Sequence, residues 1–419
     1  MSSSNPVRRR LSPLRTYVVL VFTSSFLFSV IFTVNLIYHL NVVGLTPLQL
    51  VLVGTILEAT VFLFEIPTGV LADVKSRRLS IIIGYAVMGL GFVIEGSVPR
   101  FWAVALAQVV WGLGYTFTSG ATEAWIVDEV GEEQAAGAFI RGAQAGQIGG
   151  LSAIPISILL GTVGVRLPIL LGGGLMVGLA GFLALAMSED GFTPTPAEDR
   201  TTVQMMLKTV RDARRLIRRQ PVLLTILAIG LFFGLYSEGL DRLGTAHLIQ
   251  GFSVPWLNAV DPVIWVGVIS GCTGVLCILA TELIRKRVDT SRDSHLVYGL
   301  MANAGLIVLA LAGFALTQNF WVAVGFYILV SVLRSVRDPL NSTWMNDRID
   351  DSQVRATMFS VTSQADAIGQ IAGGPAVGAI GNRSVRAALL VSALILTPSV
   401  PLHWVARQRG REDPGSSHT

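Results

Sequence analysis

Charge is what this chain has least of. Only 14% of its 419 residues are Asp, Glu, Lys or Arg, against 52% apolar, and the mean hydropathy is +0.63. Soluble domains carry roughly 25% charged residues. A soluble chain of this length would split into two or three domains, each needing a polar surface. Such surfaces cannot be assembled here, so lipid must face much of the protein. Cysteine is nearly absent too: Cys272 and Cys277 share one apolar stretch without metal-ligand partners, which excludes a disulfide framework and a metal cluster. There is no P-loop and no Gly-x-Ser-x-Gly elbow, and the five histidines are scattered. These absences argue against an enzyme, against nucleotide-driven transport and against any cofactor. A pI near 9.3 raises the question of a nucleic-acid partner. Cytoplasmic loops obeying the positive-inside rule explain the basicity better, so no nucleic acid is expected.

Long apolar runs fill the space that charge leaves. A helix needs roughly 20 apolar residues to cross the hydrocarbon. That ruler predicts spans at 16–40, 48–72, 79–98, 101–127, 136–160, 164–187, 221–247, 260–284, 293–316, 319–345, 355–380 and 384–406. The first run lacks a cleavage site and is too long for a signal peptide, so it is expected to stay as an anchor. With the N-terminus inside, cytoplasmic segments hold 24 of the 31 Lys and Arg residues, and external loops hold four: Arg100, Arg166, Arg383 and Arg386. An asymmetry that alternates with every span places both termini in the cytoplasm of a cell membrane, inner or plasma.

The chain also repeats itself. Trp125 and Asp128 recur as Trp344 and Asp347 at an offset of 219, and Phe139, Gln144 and Gly149 recur as Phe359, Gln364 and Gly369 at 220. The reading is therefore an all-α integral membrane protein of twelve transmembrane helices in two pseudo-symmetric six-helix bundles. The N-terminal half is 1–187, a cytoplasmic basic linker is 188–220, and the C-terminal half with a short tail is 221–419. Lys208, Arg211, Arg214, Arg215, Arg218 and Arg219 recur at helical spacing in the linker, as on a basic amphipathic helix at the inner leaflet.

Span 2 is the richest segment. Gly69, Leu71, Ala72 and Asp73, followed by Lys75, Arg77 and Arg78, resemble the signature between the second and third helices of the major facilitator superfamily. Val74 and Ser76 stand where a basic residue and a glycine are common. The resemblance implies a cytoplasmic gate in which Asp73 caps a neighbouring helix and Arg77 reaches Asp128 at the inner end of span 4. Simple topological charge is the alternative reading of the basic residues. Glu58 and Glu65, seven residues apart, share a helix face about 10 Å apart along the axis. With Pro67 and Gly69 they are similar to the second helix of the clostridial-type tetracycline efflux proteins, among drug:proton antiporters. That resemblance implies transport roles for both glutamates, with static buried ion pairs as the alternative.

Carboxylates inside a bilayer are costly and must be paired, hydrated or protonated. Seven stand out within the predicted spans: Glu58, Glu65, Glu123, Glu238, Asp241, Asp338 and Asp366, against Arg242, Arg334 and Arg337. Glu238 and Arg242, like Arg334 and Asp338, are i,i+4 pairs, either structural bridges or working groups. The acid excess favours cationic or proton-exchanging cargo. Gln108 stands where many drug antiporters carry an arginine, and the glycines of 369–378 permit close helix approach. The sequence thus predicts a monomeric secondary transporter that exports drug-like or other small molecules against protons, with uptake of a metabolite as the alternative.

Overall fold

The computed structural model describes residues 11–194, 221–255, 257–287, 293–348 and 352–412. Among these residues every regular element is helical. The expected basic helix over Lys208–Arg219 lies outside them. In order, the helices are α1 Pro13–Tyr38, α2 Pro47–Val74, α3 Arg77–Ser97, α4 Phe101–Thr118, α5 Ala121–Val130, α6 Glu132–Val163 and α7 Arg166–Ala186. They continue as α8 Pro221–Gln250, α9 Pro262–Arg287, α10 Asp293–Leu316, α11 Phe320–Arg348, α12 Ser352–Gly381, α13 Val385–Leu396 and α14 Ser399–Glu412.

Local chemistry sets many of these ends. Four helices (α1, α2, α8 and α9) begin on proline, whose missing N–H is unneeded in a first turn. The hydroxyl of Ser76 accepts from Leu79 N at 2.9 Å, and that of Ser384 from Ala387 N at 3.2 Å, capping α3 and α13. Predicted span 4 is broken: Gly120, at φ +70°, separates α4 from α5. At the repeat offset of 219 its counterpart is Pro339, inside the continuous α11. The last span is likewise divided between α13 and α14.

Among the described residues, eleven helical stretches are long and apolar enough to cross a membrane. The twelfth predicted span is present as α12, 30 residues long, but Gln364, Asp366 and Gln370 make it too polar for that measure. The fold is the twelve-helix one expected. Many large apolar side chains are left open, among them Val163 at 78% and Leu159, Leu309 and Leu394 at 69%, as lipid contact requires.

The duplication survives in the packing. A Cβ on Gly149 of α6 would lie 2.4 Å from Phe22 O of α1, and one on Gly369 of α12 would lie 2.4 Å from Leu231 O of α8. Equivalent glycines therefore let the fifth span approach the first and the eleventh approach the seventh, in the small-residue manner of membrane helices.

The chain forms two compact units, one of residues 1–35 and 63–202, the other of 36–62 and 203–419. The dividing line crosses α1 and α2 as well as the linker. In the second unit the start of α2 packs on α12: Leu48 N donates to Asn382 Oδ1 at 2.9 Å, and a Cβ on Gly374 would meet Thr55 Oγ1 at 2.5 Å.

Candidate functional site

The second unit holds a group of ionisable side chains on α2, α8, α11 and α12. On α8, Glu238 is 2% exposed and lies 3.5 Å from Arg242 Nε, the bridge that the i,i+4 spacing allows. Gly54 of α2 faces this pair, since a Cβ there would fall 2.0 Å from Glu238 Oε2 and 2.5 Å from Arg242 Nε. Glu58, one helical turn further along α2, is within Coulombic reach of Glu238, as is Asp241. A carboxylate-rich seam thus runs between α2 and α8.

Beside it lies a cavity of about 200 Å³ between α8, α11 and α12. Its polar lining includes Asp241, Arg334, Arg337, Asp338 and Asp366, with Tyr236 and Phe233 as aromatic walls. Arg334 does not take Asp338 as its partner, as local spacing suggested. Its two Nη atoms grip both oxygens of Asp241, a bidentate pairing from α11 to α8 whose Nη2–Oδ2 bond is 3.0 Å. Asp338, one turn along α11, lines the same cavity and stays 77% exposed. Asp366 accepts from Gln370 Nε2 at 2.8 Å on its own helix.

The remaining sequence-derived residues fall in the first unit, except Glu58. Arg77 lies 3.4 Å from Asp73, contacts Asp128 closely and donates to Ala124 O at 3.0 Å. The cap of α3 comes from Ser76, and Glu189 stands behind it, accepting from Ser76 Oγ at 2.6 Å and from Arg78 N at 2.9 Å. Gly69 has open space where a Cβ would go. Glu65 is half-buried on α2 beside Thr68, whose hydroxyl donates to Thr116 O at 3.0 Å. Glu123 lies in the fourth span, as expected, in the first turn of α5, exposed and within Coulombic reach of Tyr17 and Tyr85.

The sequence reading passed over one buried acid. Glu95 of α3 is fully buried, and its oxygens accept from Asn35 Nδ2 at 2.6 Å and from Gln108 Nε2 at 3.3 Å. Gln108 in turn accepts from Trp111 Nε1 at 3.0 Å, and Trp111 stacks on Phe92 with ring centroids 5.4 Å apart. The missed signal was a lone acid two residues from the end of an apolar run.

A duplicated bundle of apolar helices with ionised side chains inside its spans defines a membrane transporter of small molecules, not an enzyme. The particular family follows from comparison with known proteins. The sequence profile of the Major Facilitator Superfamily matches residues 17–302, and the chain belongs to that superfamily. It is 22% identical to the uncharacterized MFS-type transporter YxaM of Bacillus subtilis (strain 168), across 84% of this chain and 86% of that protein. Its fold is similar to that of the nucleoside transporter NupG (D323A mutant), with a TM-score of 0.79 at 15% identity over 95% of this chain and 100% of the other. A bacterial homologue of the human lysosomal transporter Spinster gives a TM-score of 0.72 at 15% identity, over 99% of this chain and 100% of that one.

Proposed function

We propose that this chain is a proton-coupled secondary transporter that exports drug-like or other small molecules by alternating access. The observation that carries the coupling is the seam between α2 and α8. There the carboxylates of Glu58, Glu238 and Asp241 share their surroundings with the guanidiniums of Arg242 and Arg334. Three acids and two arginines carry a net charge of −1, and one proton brings it to zero. Neutral and charged forms of a low-dielectric site differ greatly in cost, so a single proton can shift which conformation is stable. Glu65 on the same helix would relay protons toward the gate formed by Gly69, Asp73, Arg77 and Asp128. Two six-helix halves, 1–187 and 221–419, would make up a monomer with both termini on the cytoplasmic side of the cell membrane.

The test uses purified protein in liposomes with an imposed pH gradient, and a pump-deficient bacterium challenged with toxic compounds. Expression should raise tolerance to some of them, and Glu58→Gln or Glu65→Gln should abolish gradient-driven transport at equal expression. Normal gradient-dependent extrusion by both variants would overturn the coupling assignment. A second reading, uptake of a polar metabolite, is favoured by the charged lining of the α8–α11–α12 cavity and by the likeness to a nucleoside transporter. Unchanged sensitivity to every toxic compound, with solute entry following the inward proton gradient, would select it.

A further inference from the structure

The cavity between α8, α11 and α12 has its donors unevenly used. Arg334 is committed, with both Nη atoms on Asp241. Arg337 is not. Its guanidinium carbon sits over the Phe233 ring, 3.4 Å from the centroid, so the arm is held against an aromatic wall. Its one carboxylate contact among the described residues is Nη1 to Asp338 Oδ1 at 3.5 Å, the outer limit of a hydrogen bond, to a side chain that is 77% exposed. Its Nε is buried with no acceptor among the described residues. Tyr236 lines the same cavity at 1% exposure, and its hydroxyl has no partner among them either. The cavity's other polar groups are occupied within the protein: Ser237 donates to Gly234 O at 3.0 Å, and Asp366 accepts from Gln370.

Buried polar groups in native proteins are almost always satisfied, by protein, water or ligand. Here a pre-positioned guanidinium and a buried phenol both lack an acceptor. The group that matches them accepts on two coplanar oxygens and carries negative charge, since a guanidinium fork pairs with a carboxylate through two parallel bonds. We propose that this cavity binds the carboxylate of a small organic acid, held by Arg337 and Tyr236, with the solute's carboxylate displacing Asp338 from Arg337. The volume, about that of seven waters, admits a short acid or the acidic end of a longer one. Asp241, Asp338 and Asp366 outnumber the two arginines, so an incoming carboxylate raises the local negative charge to −2 unless a proton accompanies it. As a statement about cargo, the proposal rests on the transporter reading above and supplies a chemical reason for acid binding to be linked to protonation of the site.

The test is binding by the full-length protein in detergent, with no gradient, at fixed pH and matched chloride. The probes are sodium butyrate, hexanoate, benzoate and salicylate, each beside the carboxamide and the amine of the same skeleton, with titration calorimetry and thermal unfolding as readouts. At least one carboxylate should bind ten-fold or more tightly than its amide and amine. Arg337→Gln should weaken it at least ten-fold, Arg337→Lys should restore part of the loss, and Tyr236→Phe should weaken it three- to ten-fold. Tyr236→Phe removes a single oxygen and keeps the ring, so it stays informative if the Arg337 variants fold poorly. Equal binding of acid and amide, undiminished binding by Arg337→Gln and Tyr236→Phe, or no binding by any carboxylate would each overturn the proposal. Because no gradient is present, these outcomes are independent of whether transport is proton-coupled. Transport by the wild-type protein that ignores the pH gradient, with carboxylate binding intact, would strike the coupling and leave this site standing.

Discussion

Gly54 offers the sharpest test of the seam between α2 and α8. A methyl group there would sit 2.0 Å from Glu238 Oε2 and 2.5 Å from Arg242 Nε, against an ordinary contact of about 3.5 Å. Something must therefore move by about 1.5 Å. The carboxylate tip would be the cheap element to displace if it had room, but Glu238 is 2% exposed and already 3.5 Å from its arginine. Turning it away leaves a buried guanidinium and a buried carboxylate apart, whereas keeping it forces α2 off α8. Overpacking of this kind costs about 1–3 kcal/mol. The matched control is Gly150→Ala on α6, where a Cβ meets nothing within 4 Å. That change should be neutral or stabilising by up to about 1 kcal/mol, because alanine favours the helix. Thermal unfolding of the purified proteins, followed by tryptophan fluorescence, should show Gly54→Ala melting several degrees lower and Gly150→Ala unchanged or higher. Transport should fall with Gly54→Ala alone. Identical melting and transport for Gly54→Ala and the wild type would show that the seam is looser than the geometry states, and the argument built on it would fail.

Two further perturbations test contacts that sequence spacing did not suggest. Asp241→Asn and Arg334→Gln each break the bidentate pair; since the side chains are 42% and 33% exposed, each should cost only about 1–2 kcal/mol, well below a fully buried pair. The double variant should be less destabilised than the sum of the singles, and strictly additive melting shifts would deny the pairing. Glu189→Gln and Ser76→Ala should each loosen the first turn of α3 by about 1 kcal/mol. Hydrogen exchange at the amides of Arg78 and Leu79 reads this directly, and unchanged exchange in both variants would remove the cap from the account.

Sequence alone determined the membrane class, the twelve spans and the twofold repeat. Of the two i,i+4 pairs that spacing offered, Glu238–Arg242 forms, and Arg334 turns from Asp338 to Asp241 instead. Hydropathy, alternating loop charge and helical spacing are local quantities, so they can be summed along a chain. Which helix faces which is not local. The pairing of Arg334 with Asp241, 93 residues away, depends on how α11 is rotated about its axis. The same holds for Glu95, whose amide partners come from α1 and α4, and for Gly54, whose meaning is its distance to a pair on α8. A few degrees of helix rotation decide whether a side chain meets lipid, a carboxylate or a cavity. Only the packed structure records that angle.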